Sequence, residues 1–142
     1  MLEVEIKTGM EHMDLQMVHQ YLSQASYWAK GISFEMVEKS LSHSYCTGAF
    51  LDGRQIGFGR LITDYTTFAW FADFFVLPEY HGKGVAKQML AHILSQPWTK
   101  TLRRKMLATR DAHTLYQQFS FKELASPGII MEIHQPGIHL HI

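Results

Sequence analysis

Phe68-Ala69-Trp70-Phe71-Ala72-Asp73-Phe74-Phe75-Val76-Leu77-Pro78-Glu79-Tyr80-His81-Gly82-Lys83-Gly84-Val85-Ala86 is the stretch on which the reading of the whole chain turns. Aromatic and β-branched residues occupy both parities from Phe68 to Leu77, which predicts a strand with neither face wetted, central in a sheet covered on both sides. Pro78 ends it, because proline cannot donate to a ladder. From Val85 the apolar residues recur at Ala86, Met89, Leu90, Ile93 and Leu94, with Lys87, Gln88, Ala91 and His92 between them. That spacing predicts a helix with one face on a core.

Gly82 and Gly84 fall where the first turn of that helix leaves backbone N–H groups without partners. Glycine there lets a ligand approach the main chain closely, and an anion would meet several donors, the positive end of the helix dipole and the Lys83 side chain. A phosphate or pyrophosphate cradle is the expectation. Two common cradles are excluded by spacing: the loop lacks the four-residue gap and Gly-Lys-Ser/Thr ending of a Walker motif, and it lacks Gly-x-Gly-x-x-Gly.

The run His81-Gly82-Lys83-Gly84-Val85-Ala86 resembles the acyl-CoA-binding signature of the GNAT family of N-acetyltransferases, Arg/Gln-x-x-Gly-x-Gly/Ala between a strand and a helix, with His81 at the departing first position. A second stretch, Thr109 to Phe121, is similar to the family's strand leading into a short helix that ends Leu-Tyr-x-x-Phe-Gly-Phe, with Ser120 in place of the glycine. The resemblance is sharpest from Arg60 to Phe121. It implies an α/β fold of the GNAT acyl-CoA N-acyltransferase type, a central mixed, mostly antiparallel sheet flanked by helices on both faces. It also implies acetyl-CoA as cosubstrate, held by Phe75, Val76, Leu77, His81, Gly82, Lys83, Gly84, Val85, Ala86 and Phe119.

Working outward, Val4–Lys7 alternates as a strand near a sheet edge, and Leu15, Val18 and Leu22 mark a helix over 14–22. Ser26-Tyr27-Trp28-Ala29-Lys30-Gly31 breaks that periodicity before a helix over 34–41, for which Ser33 is the expected N-cap. Tyr45–Leu51, the Asp52-Gly53 turn and Arg54–Ile62 read as a β-hairpin, in which Gly57 and Gly59 mark a bulge or a close backbone approach. Strands are expected over 103–109 and 129–133, with a helix over 112–119 between them and a tail from His134. His139 and His141 have no carboxylate or cysteine near them, so no metal is expected.

The 142 residues fit one domain with one substantial core, spanning 1–142. Thirteen basic residues balance thirteen acidic ones, so no global field recruits nucleic acid or an anionic membrane, and Arg103-Arg104-Lys105 reads as a solvated strand entrance. No apolar run is long enough to cross a bilayer. The lone Cys46 and the absence of a secretion-like N-terminus make a reducing cytoplasm the expected compartment, with Cys46 a packing residue.

Transfer to an amine requires a proton to leave the acceptor, since a lysine-like amine has a pKa of about 10. Asp73 is the only charged side chain between Asp64 and Glu79, which makes it the candidate base, or else a group that binds the acceptor's ammonium or orients its neighbours. The resemblance implies that Tyr116 is the general acid for the departing thiolate, and a phenol can donate at neutral pH without tuning. It also places Tyr27 and Trp28 at the acceptor pocket, against the plainer reading of two rings packed on the helices. A backbone N–H near Phe75 to Leu77 would serve the oxyanion if the strand bulges or splays there. The resulting expectation is an N-acetyltransferase acting by direct attack in a ternary complex on a small-molecule primary amine, with peptide or protein acceptors and a homodimer left open. The competing expectations are an acyl-CoA-binding sensor that has lost transfer, and a nucleotide-binding protein unrelated to CoA.

Overall fold

A computed structural model describes residues 1–142. Its single sheet has the order β1-β2-β3-β4-β5, formed by Glu5–Thr8 (β1), Tyr45–Leu51 (β2), Arg54–Thr63 (β3), Phe68–Val76 (β4) and Arg104–Leu107 (β5). The first four strands pair antiparallel and β5 pairs parallel to β4, so the sheet is mixed and mostly antiparallel, as expected. The parallel pairing requires a crossover, and helix α3 (Val85–Leu94) supplies it together with the short α4 (Pro97–Lys100).

Helices cover both faces. On one, α1 (Leu15–Gln20), the turn that continues it and α2 (Phe34–Ser42) set Val18, Leu22, Val37 and Leu41 against Cys46, Phe58 and Phe75. On the other, Leu90 and Ile93 of α3 and Tyr116 of α5 (His113–Gln117) pack on Leu61, Ala69 and Phe71. Ser33 caps α2 by accepting from the Met36 N–H at 3.2 Å, and Asp14 caps α1 through the Met17 N–H at 3.1 Å. The helix expected over 14–22 changes character part-way: α1 passes into a π-helical turn over Tyr21–Ala25, closed by the Ser26 N–H on the Tyr21 carbonyl. Such turns redirect side chains, and here Tyr21 stacks on Phe75 with ring centroids 3.8 Å apart.

The strand expected over 129–133 does not form. Pro127–Ile129 is a 3-10 turn, and Met131 to His134 neither donate nor accept a backbone hydrogen bond. Its β-forming sequence is not joined to the sheet, which ends at β5. The tail returns to the body instead: the His139 ring lies 2.8 Å from the Lys30 carbonyl, and Leu140 packs over Gly31.

Candidate functional site

β4 is asymmetric about Phe71. On the β3 side the register steps between Phe58↔Phe75 and Arg60↔Ala72, so Asp73 and Phe74 together face Gly59. This is a β-bulge, and Asp73 takes the left-handed conformation at φ 58° that bulges use and that aspartate tolerates better than most residues. The extra residue brings Phe71 and Phe74 to one face, where their rings stack at 5.7 Å. Gly59 must lack a side chain, since a Cβ there would enter the Phe74 ring. The bulge or close approach expected of Gly57 and Gly59 is therefore both, and its partner strand carries the extra residue.

On the other side, β5 accompanies β4 only from Phe68 to Phe71 and stops at Leu107. The Leu77 N–H donates to the Ile56 carbonyl at 2.9 Å, so antiparallel alternation directs Phe75 toward β3 and turns the N–H and carbonyl of Val76 toward the vacated side. The His81 ring takes the Val76 carbonyl at 2.6 Å, leaving the N–H. That is the splay on which a backbone oxyanion donor depends.

A cleft of about 340 Å³ opens at this point, lined by Val76, His81, Gly82, Gly84, Val85 and Ala86, together with Tyr80, Lys87 and Leu115, which sequence reasoning did not single out. Gly82 and Gly84 have φ of 74° and 80°, and α3 starts at Gly84 with no side-chain cap, so its first N–H groups, at Val85, Ala86 and Lys87, stand open. The Met1 side chain lies 3.1 Å from where a Gly84 Cβ would stand, so an added side chain would press on Met1. Lys83 is tied back through its carbonyl, which accepts from the Leu2 N–H at 3.0 Å, and its side chain does not line the cleft. Phe75, Leu77 and Phe119 lie in the adjoining packing.

Asp73, the one charged side chain of β4, has donors from two other elements. Its Oδ2 accepts from Arg60 Nε at 2.6 Å and its Oδ1 from Trp28 Nε1 at 2.8 Å, with the two charged side chains 11% and 15% exposed. Arg60 also donates through Nη1 to Ser44 Oγ at 2.9 Å. Sequence reasoning missed Arg60. The signal was available: with the Asp64 turn between β3 and β4, residues summing to about 132 face each other, which sets Arg60 beside the only acid inside β4.

Tyr27 and Trp28 are not core rings. They are 52% and 39% exposed and meet edge to face at 4.9 Å, and the Arg110 guanidinium lies over the Tyr27 ring at 3.8 Å. The aromatic loop between α1 and α2 thus meets the loop that follows β5. Tyr116 is buried at 8% exposure and its phenol is pushed up to about 12, mainly by burial and secondarily by the Tyr27 hydroxyl. It lines not the cradle cleft but a larger cavity around β5; its neighbour Leu115 faces the cradle. Burial pushes the Cys46 thiol up to about 11 despite the nearby Arg60, which leaves it inert as a nucleophile.

The model of the acetyltransferase (GNAT) domain matches residues 42–123, a stretch that contains the bulge, the splay, the cradle and Tyr116. The chain belongs to the GNAT family. A solved structure of a candidate GNAT acetyltransferase from Xanthomonas campestris pv. campestris is similar over 98% of both chains, at 41% identity and a TM-score of 0.94. A GNAT acetyltransferase from Streptococcus pneumoniae TIGR4 shares the fold at 24% identity and a TM-score of 0.73, over 94% of this chain and 98% of that one. A candidate acetyltransferase of Gibberella zeae is 37% identical over 93 residues, 60% of this chain and about half (51%) of that protein's length. No helix of this GNAT chain is long and apolar enough to cross a membrane.

Proposed function

We propose that the chain is an acetyl-CoA-dependent N-acetyltransferase of the cytoplasm that acetylates a primary amine of a small molecule by direct attack in a ternary complex. The observation that carries this reading is the alignment of two unsatisfied backbone sites on one cleft: the Val76 N–H in the splay and the uncapped start of α3 at Gly84. The residues fit acetyl-CoA: the open N–H groups of Val85, Ala86 and Lys87 would hold its pyrophosphate, at a turn where Gly82 and Gly84 take positive φ and line the cleft. When bound, acetyl-CoA supplies the activated acetyl group and a thiol leaving group.

The chain's own contribution follows from the geometry. The Val76 N–H offers a preorganised donor where negative charge develops on a carbonyl oxygen. Tyr116, protonated far beyond neutrality, holds a proton for a thiolate. Asp73 has two oxygens with about four acceptor sites, of which Arg60 and Trp28 take two. Taking up the acceptor's proton would sacrifice the ion pair with Arg60, whereas accepting a further hydrogen bond would not. Asp73 therefore holds the acceptor's ammonium and fixes Trp28, and the proton leaves through the exposed mouth at Tyr27 and Trp28. Catalysis of transfer then rests on placement and oxyanion stabilisation more than on a strong base.

The test combines two measurements. Acetyl-CoA should raise the unfolding temperature by mass action, and Gly84→Asp, which adds bulk and negative charge to the cradle, should remove most of that rise. A panel of small amines should then release free thiol from acetyl-CoA; the inert Cys46 adds no background to such an assay. Stabilisation without thiol release across amines and peptides would make the chain a CoA-binding module. Better protection by ATP or NAD than by CoA would overturn the reading altogether.

A further inference from the structure

The aromatic pair at the mouth of the site lies between opposite charges. Trp28 Nε1 donates to Asp73 Oδ1 at 2.8 Å, the Trp28 and Tyr27 rings meet edge to face at 4.9 Å, and the Arg110 guanidinium lies 3.8 Å from the Tyr27 ring centroid. The acid at one end is already balanced by Arg60 at 2.6 Å. The cation at the other end is not balanced. Arg110 is exposed, forms no ion pair, and its guanidinium donates to no acceptor in the chain. Burial, and after it the charge of Asp111, raises the Tyr21 phenol above its ordinary value, so the neighbouring acid stands on the Tyr21 side and not against Arg110.

Its place in the fold sets Arg110 apart from the other arginines. Arg54 reaches Glu79 at 3.9 Å, and Arg60 is held by Asp73. Arg103 and Arg104 stand at the start of β5, beside Thr67 and Phe68, at the end of the sheet away from the splay. Arg110 follows the other end of that strand, just past Leu107, where β4 and β5 part and the site opens. The Tyr27 hydroxyl acts on the Tyr116 phenol, so the ring that carries Arg110 also borders the proposed acid. A guanidinium resting on an aromatic face keeps its N–H fork for a carboxylate or phosphate, which it binds through two parallel hydrogen bonds.

We propose that the acceptor is an amine whose other end carries an oxyanion, a carboxylate or a phosphate. Asp73 takes the ammonium, Arg110 takes the oxyanion, and Trp28 and Tyr27 cover the apolar stem between them. The inference rests on the transferase reading above and narrows its small-molecule amine to a zwitterionic class. The two half-open rings are the apolar surface that a stem would cover, with a polar group fixing each of its ends. A plain alkylamine would satisfy Asp73 and leave Arg110 to water. A diamine would bring a second cation against Arg110, and like charges brought together select against such a ligand.

Thiol release from acetyl-CoA with matched acceptors tests this: ω-amino carboxylic acids and phosphorylated amino alcohols against alkylamines, ω-amino amides and diamines of the same chain length. The anionic acceptors should have kcat/KM about 10- to 100-fold higher, the worth of a charge-assisted hydrogen bond, and the carboxylate and phosphate arms show which oxyanion is preferred. Arg110→Met should remove that preference mostly through KM, and Arg110→Lys, which keeps the charge without the fork, should retain part of it. A wild type that prefers neutral amines or diamines overturns the proposal. So does an Arg110→Met chain that loses activity equally on anionic and neutral acceptors, which would make Arg110 only a prop for Tyr27. A loss of the rise in unfolding temperature given by acetyl-CoA alone would assign Arg110 to a CoA phosphate and overturn it too. The unfolding temperature of the CoA complex with each amine reads binding without turnover. Anionic amines that raise it in the wild type and not in Arg110→Met, yet release no thiol, would overturn the transferase reading and leave the Arg110 site standing. Thiol release from neutral amines alone would do the reverse.

Discussion

The two sides of β4 beyond Phe71 are built by opposite means. Toward β3 side chains close the site: the bulge at Asp73 is held by Arg60, Trp28 and, through Arg60, Ser44. Toward β5 groups are left unengaged, since the partner strand has ended and helix α3 starts without a cap. Rigid over-determination on one side sustains unsatisfied donors on the other, where open backbone can receive a ligand. The contrast predicts that substitutions on the open side cost turnover and those on the closed side cost stability.

The largest expected effect is on the open side. Tyr116→Phe keeps the ring in its core cluster and deletes the proton, so turnover should fall about 100- to 1,000-fold while stabilisation by acetyl-CoA stays within error. The pH dependence has a definite sign. A phenol raised from 10 to about 12 stays protonated through the neutral and moderately basic range, so Tyr116 contributes no basic limb to the rate below about pH 11. Stability linked to this group is whole below pH 10 and is lost as pH rises toward 12. Full activity in the phenylalanine variant would remove the acid from the open side.

Next is the clamp. Arg60→Met leaves Asp73 buried with only Trp28 as partner, and removing one member of a largely buried pair should cost about 3 kcal/mol in chemical denaturation. Adding Asp73→Leu should recover part of that loss, a coupling that a double-mutant cycle measures. Additive losses would mean that the pair does not act as a unit. In the doubly substituted chain the acceptor's KM should rise more than turnover falls, because Asp73 holds the ammonium in the proposed mechanism.

How much of this was legible in the residues follows from the kind of signal each part leaves. The strand, turn and helix around Gly82 and Gly84 were readable because local chemistry decides them: Pro78 stops a strand, and an apolar stripe needs a helix. Ser33 was readable as a cap for the same reason. The Arg60–Asp73 pair depends on register across a hairpin and on a one-residue bulge, and a bulge shifts every later pairing by one. Gly59 announced that something came close without saying that it was Phe74. The segment 129–133 failed differently: its residues favour a strand, but β structure exists only where a partner is present, and within one chain none is. The role of Tyr27 and Trp28 was undecidable from composition because a wet ring and a core ring look alike in sequence.

Gly59→Ala probes the closed side at smaller scale. The backbone there is ordinary, so the cost is steric: the new methyl must displace the Phe74 ring from its stack on Phe71. A loss of about 2 kcal/mol is expected, typical of overpacking. A concurrent Phe74→Leu should relieve it. If it does not, the bulge itself rather than the ring excludes a side chain.

The smallest effect belongs to Gly82, and it separates conformation from space. Nothing lies within 4 Å of an added Cβ, so Gly82→Ala meets no neighbour and pays only for holding alanine at φ 74°. That left-handed conformation costs an L-residue about 1 kcal/mol. If the cradle works through backbone N–H groups presented by a fixed turn, the alanine chain should lose this much stability in denaturant yet keep its stabilisation by acetyl-CoA. Gly84 makes the control, because its conformation is as unusual but its space is occupied by Met1. A Gly82→Ala protein of unchanged stability that no longer responds to acetyl-CoA would mean that the turn had relaxed to a new conformation and taken the donors with it. The open side would then depend on the turn's shape and not on the start of α3 alone.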